Sequence, residues 1–240
     1  MKNKTQILLP GLGRQVDFLK KNCNSDPKTI LVIGASCEIP ALELAVFFDV
    51  KIQLIVEDYE SLLNSKLVLK SAENIDLRMM SFESTDFRSE EFDLIYAQAS
   101  VSQVNRNKIV KEIKRILKPG GLFCAGEVVS LTKEQPRFMQ DIFDSSSMLP
   151  LFTEDLEKYY TERKFIVNVS EDLTSTLKEF YSINAAKLDD AVDSLTDKEK
   201  SYYKKIVSKI KHESNIYLKL GGDKHIGFRV LLLSKGEKEN

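Results

Sequence analysis

The amino-acid sequence predicts a doubly wound α/β fold, built on a seven-stranded, mostly parallel sheet with helices packed on it. Two observations predict this class. Between residues 29 and 130, short β-branched apolar runs alternate with segments of helical period, the pattern of strands joined by crossover helices. The first of these runs is apolar at nearly every position, as expected for a strand that is buried on both faces.

The first three strands are predicted at residues 29–33, 52–56 and 77–81. A turn of small residues follows the first strand, and Pro40 lies where the first turn of a helix tolerates a missing N–H. Apolar residues at helical spacing continue that helix to residue 48, and a second helix runs through residues 62–69. This half of the sheet is therefore expected to wind as repeated right-handed βαβ units.

The fourth and fifth strands are predicted at residues 92–97 and 122–125, with a helix of apolar spacing at 109–117 between them. The Pro-Gly-Gly sequence at 119–121 ends that helix, because proline cannot continue it and glycine readily takes a positive φ.

The second half of the chain has a different sequence pattern. Residues 133–150 suit either a lid over a bound molecule or an amphipathic helix that completes the core. Thr153 is a candidate N-cap of a short helix. A strand at 164–169, helices at 175–190 and 197–212, and a last strand at 226–233 follow. We expect one domain over residues 1–240: an N-terminal helical segment (1–28), a core (29–130), and lid helices with the last two strands (131–240).

Composition excludes several classes of function. Lys and Arg number 35 against 36 Asp and Glu, and the net charge of −1 gives no overall attraction for nucleic acid or for an anionic membrane surface. The three cysteines are far apart, and the two histidines share no metal-ligand spacing with them, so neither a disulfide framework nor a metal site is expected. The longest apolar stretch, at 41–48, is too short to span a bilayer. We expect a cytoplasmic protein.

A ligand of such a fold is expected beyond the carboxyl ends of the strands. Gly34 opens a turn that leads into a helix N-terminus, where an anion is favoured, although small residues there could merely permit a tight turn. Glu57 ends the second strand 23 positions later, near the spacing at which an acidic side chain binds ribose hydroxyls. The alternative for Glu57 and Asp58 is a pair of solvated carboxylates.

These residues carry a family resemblance. The runs Ile-Leu-Val-Ile-Gly at 30–34, Glu-Phe-Asp-Leu-Ile at 91–95 and Leu-Lys-Pro-Gly-Gly-Leu-Phe at 117–123, together with Glu57, resemble the class I S-adenosylmethionine-dependent methyltransferases over roughly residues 10–130. Residues 152–165 and 227–235 resemble the end of the small-molecule members. The resemblance implies a Rossmann-like sheet whose final strand is antiparallel and lies between the fifth and sixth strands.

It also implies a cofactor, S-adenosylmethionine, and a role for each matching residue. Gly34, Ala35 and Ser36 would lie against the methionine part, Glu57 would hold the ribose hydroxyls with Asp58 as the substitute, and Ser81 and Phe82 would flank the adenine. Ala97 and Gln98 would line the floor of the site. No metal and no catalytic motif is implied, since in-line methyl transfer can depend on positioning alone.

The chain departs from the family at the glycine-rich turn. Only the first glycine of the Gly-x-Gly-x-Gly pattern remains, with Ser36 and Glu38 at the other two positions, and Val32 and Ser81 stand where the family has acidic residues. The Glu38 carboxylate would either repel the cofactor carboxylate or hold its ammonium group.

The leading hypothesis is methyl transfer to a small-molecule acceptor. The alternative is an inactive methyltransferase-like protein that serves as a binding module, with a side chain such as Glu38 filling the pocket. A nicotinamide-dependent dehydrogenase fits less well, because the Gly-x-Gly-x-x-Gly turn is missing. The candidates for contact with the acceptor follow the fourth and fifth strands: Gln98, Ser100, Ser102 and Glu127. Capping or solvated roles are the alternative for these side chains.

Overall fold

The computed structural model describes residues 7–70, 72–194 and 197–236, and only the backbone within 191–206. Its strands are β1 (Ile30–Ile33), β2 (Ile52–Val56), β3 (Ile75–Met79), β4 (Phe92–Gln98), β5 (Leu117–Ser130), β6 (Leu151–Phe152), β7 (Phe165–Asp172) and β8 (Ile226–Lys235). Its α-helices are α1 (Arg14–Asn22), α2 (Glu38–Phe48), α3 (Tyr59–Leu69), α4 (Arg106–Ile116), α5 (Arg137–Ser145), α6 (Leu156–Thr161), α7 (Leu177–Ser194) and α8 (Asp197–Lys219).

Within the described residues, the strands form one sheet in the order β3-β2-β1-β4-β5-β8-β7, with the two-residue β6 beside β5. Strands β1 to β5 pair in parallel, and β8 is antiparallel to both β5 and β7. The predicted fold class is confirmed, including the antiparallel last strand inserted next to β5. The structure adds β6, which the sequence analysis did not predict.

Several predicted boundaries differ from the structure, most of all that of the fifth strand, which was expected at 122–125 and runs from Leu117 to Ser130. The third strand lies at Ile75–Met79 rather than 77–81, because its pairing with β2 begins at the pair Ile75 and Ile52. Helix α2 begins at Glu38, so Pro40 is its third residue, where a backbone N–H still has no intrahelical partner to lose. Thr153 forms no side-chain cap, since it lies inside a short 3₁₀ turn that precedes α6.

Two apolar layers cover the sheet. Leu44 of α2 packs with Val32 of β1 on one face, and Ile109 and Ile113 of α4 pack with Ile95 of β4 on the other. Helix α4 ends at Ile116, before the Pro-Gly-Gly segment, which lies inside β5 between the pair of Phe92 with Leu117 and the pair of Leu94 with Leu122. Gly120 there has a φ of 71°. Both faces are thus buried, as the apolar strand sequences require.

Helix α5 lies within the segment predicted as a lid or an amphipathic helix. It buries Met139, Ile142 and Phe143 in the core, as an amphipathic helix does. The same segment also lines two cavities, through Gln140, Asp144 and Met148. In the described part of the chain, no helix is both long and apolar enough to cross a membrane.

Candidate functional site

The carboxyl edge of the sheet brings the predicted site residues together. Ile33, the last residue of β1, pairs with Ile55 of β2 on one side and with Ala97 of β4 on the other. The turn after β1, the acidic end of β2 and the end of β4 therefore lie along one edge. In doubly wound sheets this edge is where ligands bind.

The turn after β1 requires its glycine. Gly34 has a φ of 133°, and a Cβ there would lie 3.0 Å from Cβ of Ser100. Ser36 also has a positive φ, 61°, the left-handed conformation in which the family has glycine. The side chains of Ala35 and Ser36 are exposed immediately before α2 begins at Glu38. The turn thus presents an accessible helix N-terminus, which favours an anionic group.

Glu57 is hydrogen-bonded to Phe82, another of the residues predicted to contact the cofactor. Its side chain is exposed, and Oε1 accepts a 2.9 Å hydrogen bond from the backbone N–H of Phe82. The Phe82 ring is buried, whereas neighbouring Ser81 is exposed. Glu57 therefore lies against the segment that follows β3, with its carboxylate accessible from the sheet edge.

Asp58 has a different role. Oδ1 accepts a 2.8 Å hydrogen bond from the backbone N–H of Ser61, and Oδ2 accepts a 2.7 Å bond from the Ser61 hydroxyl. Asp58 is the N-cap of α3. These two bonds lower the pKa of its carboxyl group. The carboxylate is therefore already engaged within its own helix.

Glu38 points away from the turn. Its side chain is 6% exposed, and its carboxylate accepts a hydrogen bond from the hydroxyl of Ser65, which is fully buried on α3. This orientation supports neither repulsion of a bound carboxylate nor contact with an ammonium group. Neighbouring Cys37 is fully buried, and burial, helped by the charge of Glu38, raises the pKa of its thiol to about 12.

The end of β4 contacts the N-terminal segment. Gln98 donates through Nε2 to the carbonyl oxygens of Pro10 (2.7 Å) and Leu12 (2.9 Å), and its Oε1 accepts from the Tyr96 hydroxyl at 2.6 Å. The Ala97 carbonyl accepts a 2.9 Å hydrogen bond from Gln15 of α1. Both residues are buried and hold residues 10–15 over the strand ends, so a floor role for them stays a prediction.

The other acceptor candidates are part of the protein interior. Ser100 donates a 2.8 Å hydrogen bond to the carbonyl oxygen of Ile33. Glu127 is fully buried and accepts hydrogen bonds from Ser102, Tyr160 and Arg106 at 2.5, 2.5 and 3.3 Å. Burial and the charge of Glu127 raise the pKa of Tyr160 well above its usual range, so it stays a neutral donor. These residues tie β5 to α4 and α6 instead of facing a ligand.

Comparison with known proteins identifies the core. Residues 33–125 match the family model described as "Methyltransferase domain". This chain contains a methyltransferase domain. The match spans the turn after β1, the end of β2, and β4, and it confirms the resemblance predicted from the sequence. A search with the whole sequence finds no match among curated proteins.

Solved structures share the fold of the methyltransferase domain and of the segments around it. The [4+2]-cyclase SpnF superimposes with a TM-score of 0.76 at 20% identity, over 94% of this chain and 81% of that one. The geranyl diphosphate C-methyltransferase from Streptomyces coelicolor, solved with S-adenosyl-L-homocysteine, gives 0.68 at 12% identity, over 93% and 77%. Phosphoethanolamine N-methyltransferase 2 from Haemonchus contortus gives 0.75 at 14% identity, over 94% and 53%. At these identities the likeness shows the fold.

A cavity of about 580 Å³ lies beside the methyltransferase domain, between the sheet edge, the N-terminal segment, the residues after α5, and helices α7 and α8. It reaches the sheet edge at Ala99, the residue after β4, and the N-terminal segment at Pro10. Its outer wall combines aromatic and aliphatic side chains with an equal number of polar or charged ones. The wall residues on α7 and α8 are Phe180, Tyr181, Asn184, Lys187, Leu188, Ile210, Glu213 and Ser214.

The sequence did not indicate that these residues of α7 and α8 line a cavity. They lie on two helices that are far from the sheet motifs in the chain, and they form no recognisable spacing. The one signal was the pair of aromatic residues at 180 and 181, next to polar positions in a predicted helix. Within the described residues, no group of His, Cys, Asp and Glu is arranged to bind a metal ion.

Proposed function

We propose that this chain transfers the methyl group of S-adenosylmethionine to a nitrogen, oxygen or carbon atom of a small-molecule acceptor, and that it does so in the cytoplasm. The observation that carries the proposal is the position of the large cavity. It opens at Ala99 and Pro10, beside the edge on which Gly34 and Glu57 lie. A donor on the edge and an acceptor in the cavity would therefore be neighbours.

The residues on the edge fit the cofactor. The exposed Glu57 carboxylate suits the two hydroxyls of a ribose, since a carboxylate accepts hydrogen bonds strongly from such donors. The accessible N-terminus of α2, after Ala35 and Ser36, suits the carboxylate of the methionine part. Glu38, expected either to repel this carboxylate or to hold the cofactor ammonium group, is turned toward Ser65.

Bound S-adenosylmethionine supplies an electrophilic methyl group on a positively charged sulfur atom. The chain's own part is to hold and align: Glu57 and the turn fix the donor, and the cavity wall orients the acceptor. Alignment of two reactants can supply much of the rate enhancement of a displacement without a catalytic base.

Two of the neighbouring structures support a small-molecule acceptor. They are a geranyl diphosphate C-methyltransferase and a phosphoethanolamine N-methyltransferase. The cavity volume lies within the ~300–1,000 Å³ typical of sites for small molecules.

The test has two arms. Titration calorimetry with S-adenosylhomocysteine measures binding of the cofactor product, and we expect micromolar affinity. Transfer of labelled methyl groups from S-adenosylmethionine to a library of small molecules measures turnover. No binding up to millimolar concentration would overturn the proposal.

A cavity-filling variant links turnover to the cavity. Asn184→Phe places a ring in the cavity, whereas Ala186→Phe places the same ring on the exposed face of α7. We expect both variants to bind S-adenosylhomocysteine, and only Asn184→Phe to lose turnover of an acceptor found in the screen.

A binding module without methyl transfer is the second candidate function. Ser36 favours it, because a side chain at the second glycine position crowds the closest backbone approach to a cofactor. The cyclase among the neighbouring structures illustrates that this fold is not restricted to methyltransferases. Acceptor binding without binding of S-adenosylhomocysteine would favour this candidate.

A further inference from the structure

The cavity wall contains a carboxylate, and two aromatic rings line the same cavity. Glu213 of α8 is half-buried, and Oε1 accepts a 2.9 Å hydrogen bond from the Ser146 hydroxyl. On the facing helix, the ring of Tyr181 stacks on Tyr217 with centroids 4.4 Å apart, and Phe180 contacts Tyr181 edge to face at 5.0 Å. Burial, together with the negative charge of Glu213, raises the pKa of Tyr181, so the phenol stays neutral beside the carboxylate.

The lysines close to Glu213 in sequence are bound elsewhere. Lys209 donates a 2.8 Å hydrogen bond to the Ser145 carbonyl, and Lys211 forms a 2.8 Å ion pair with Asp189. Lys187 also lines the cavity, but its side chain is exposed, where water and salt screen its charge. The hydrogen bond from Ser146 is neutral, and among the side chains that the structure describes Glu213 forms no ion pair.

A half-buried carboxylate is stabilised by a cation, and aromatic faces attract cations as well. We propose that Glu213, with Phe180 and Tyr181, binds a protonated amine of the acceptor, so that the substrate class is a small molecule with an apolar body and an ammonium group. This inference rests on the proposed function, which makes the cavity the acceptor site. A protonated amine has no lone pair, so the group held at Glu213 anchors the acceptor and does not itself accept the methyl group in that state.

A matched pair of probes tests the charge preference. 2-Phenylethylamine and 2-phenylethanol share a ring and a chain length and differ in the head group. We titrate each into the full chain by calorimetry, with and without S-adenosylhomocysteine. The expected result is that the amine binds about tenfold more tightly than the alcohol.

Glu213→Gln removes the charge while its amide oxygen can still accept from Ser146, and we expect it to reduce the preference to within about twofold. Ser146→Ala removes the hydrogen bond and keeps the charge, and Glu179→Gln removes an exposed charge elsewhere on α7. Both control variants should still bind the amine about tenfold more tightly than the alcohol.

Equal binding of the two probes, binding of neither, or a preference that survives Glu213→Gln would overturn the inference. The inference would also be overturned if Ser146→Ala lost the preference for the amine to the same extent as Glu213→Gln. Glu213 would then serve only to hold the segment after α5 in place. The S-adenosylhomocysteine titration separates the two hypotheses. Binding of that nucleoside without amine preference contradicts only this inference, and amine preference without nucleoside binding contradicts only the proposed function.

Discussion

Lys118 Nζ donates a 2.7 Å hydrogen bond to Asp93 Oδ1, and this ion pair joins the first residues of two neighbouring strands, β5 and β4. Asp93 Oδ2 also accepts from the hydroxyl (2.8 Å) and the backbone N–H (2.9 Å) of Thr29, which precedes β1. Three adjacent strands are thus tied at the amino edge of the sheet, opposite the candidate site. Asp93 belongs to the Phe-Asp motif and Lys118 to the Leu-Lys-Pro-Gly-Gly motif, the two most specific motifs of the sequence. These two residues stabilise the fold and do not contact the candidate ligand site.

Asp93→Asn should destabilise the protein in a pH-dependent way. Burial acts to raise the pKa of this carboxyl group, but the hydrogen bonds from Lys118 and Thr29 outweigh it and lower the pKa to about 2. A carboxyl group whose pKa is lower in the folded state stabilises the protein at pH values above its pKa in the unfolded state, about 3.9. That stabilisation is lost as the pH falls toward 2. Because the pair is partly exposed, we expect ~1–2 kcal/mol less free energy of unfolding at pH 7.

Urea denaturation at pH 7, 4, 3 and 2 measures the effect. The difference between Asp93→Asn and the parent should shrink over the acid range. Asp26→Asn is the control, because Asp26 pairs with Lys28 at the exposed surface and should change stability by less than ~0.5 kcal/mol. A difference that is independent of pH would argue against the charge of Asp93 as the cause.

The sheet could be predicted because its signals are local. Each parallel strand is a short apolar run bounded by turn residues, and the Pro-Gly-Gly break and the Phe-Asp strand start depend only on neighbouring residues. The resemblance added what local patterns do not contain, the antiparallel placement of β8 beside β5. Boundaries were less accurate, since the start of β3 depends on its pairing with β2.

Side-chain directions could not be predicted. The position of Glu38 after the turn suggested a role toward a cofactor, but its carboxylate meets Ser65, 27 positions later in the chain. Ser102 follows β4, whereas Glu127, expected after the fifth strand, lies within β5, and the two side chains bond to each other inside the core. Such contacts are set by the packing of helices on the sheet, which the strand pattern does not encode.

Glu57→Ala should weaken the binding of S-adenosylhomocysteine by about 1–3 kcal/mol, a factor of roughly 5–150, because the ribose hydroxyls would lose a charged acceptor. Calorimetry measures the affinity directly. Removal of the carboxylate also frees the Phe82 N–H, which is partly buried, so the melting temperature should be recorded for the same sample. An unchanged affinity would contradict the assignment of Glu57 to the ribose.

Asp58→Ala should separate stability from binding. Asp58 caps α3 through Ser61, and loss of such a cap costs ~0.5–2 kcal/mol. We therefore expect a lower free energy of unfolding, measured by urea denaturation, with unchanged affinity for S-adenosylhomocysteine. If the affinity falls as it does in Glu57→Ala, the ribose contact belongs to Asp58 instead.

Glu38→Ala should destabilise the protein by about 1–3 kcal/mol and leave nucleoside binding unchanged, because the Ser65 hydroxyl would stay buried without its acceptor. Ser65→Ala serves as the partner variant, and the double variant should cost less than the two single changes together. Tighter binding of S-adenosylhomocysteine in Glu38→Ala would instead indicate repulsion of the bound carboxylate, and weaker binding would indicate contact with its ammonium group.

Cys37 should be inert although it stands in the turn before α2. A thiol whose pKa is about 12 is almost entirely protonated near neutral pH, and the thiolate is the nucleophile. Cys124 is likewise fully buried, whereas Cys23 is half-buried. Iodoacetamide at pH 7.5 should therefore label Cys23 in the native protein and all three cysteines after unfolding, as mass spectrometry of the digested chain would reveal. Rapid labelling of native Cys37 would mean that the turn opens readily to solvent, and a covalent role for that thiol would then have to be considered.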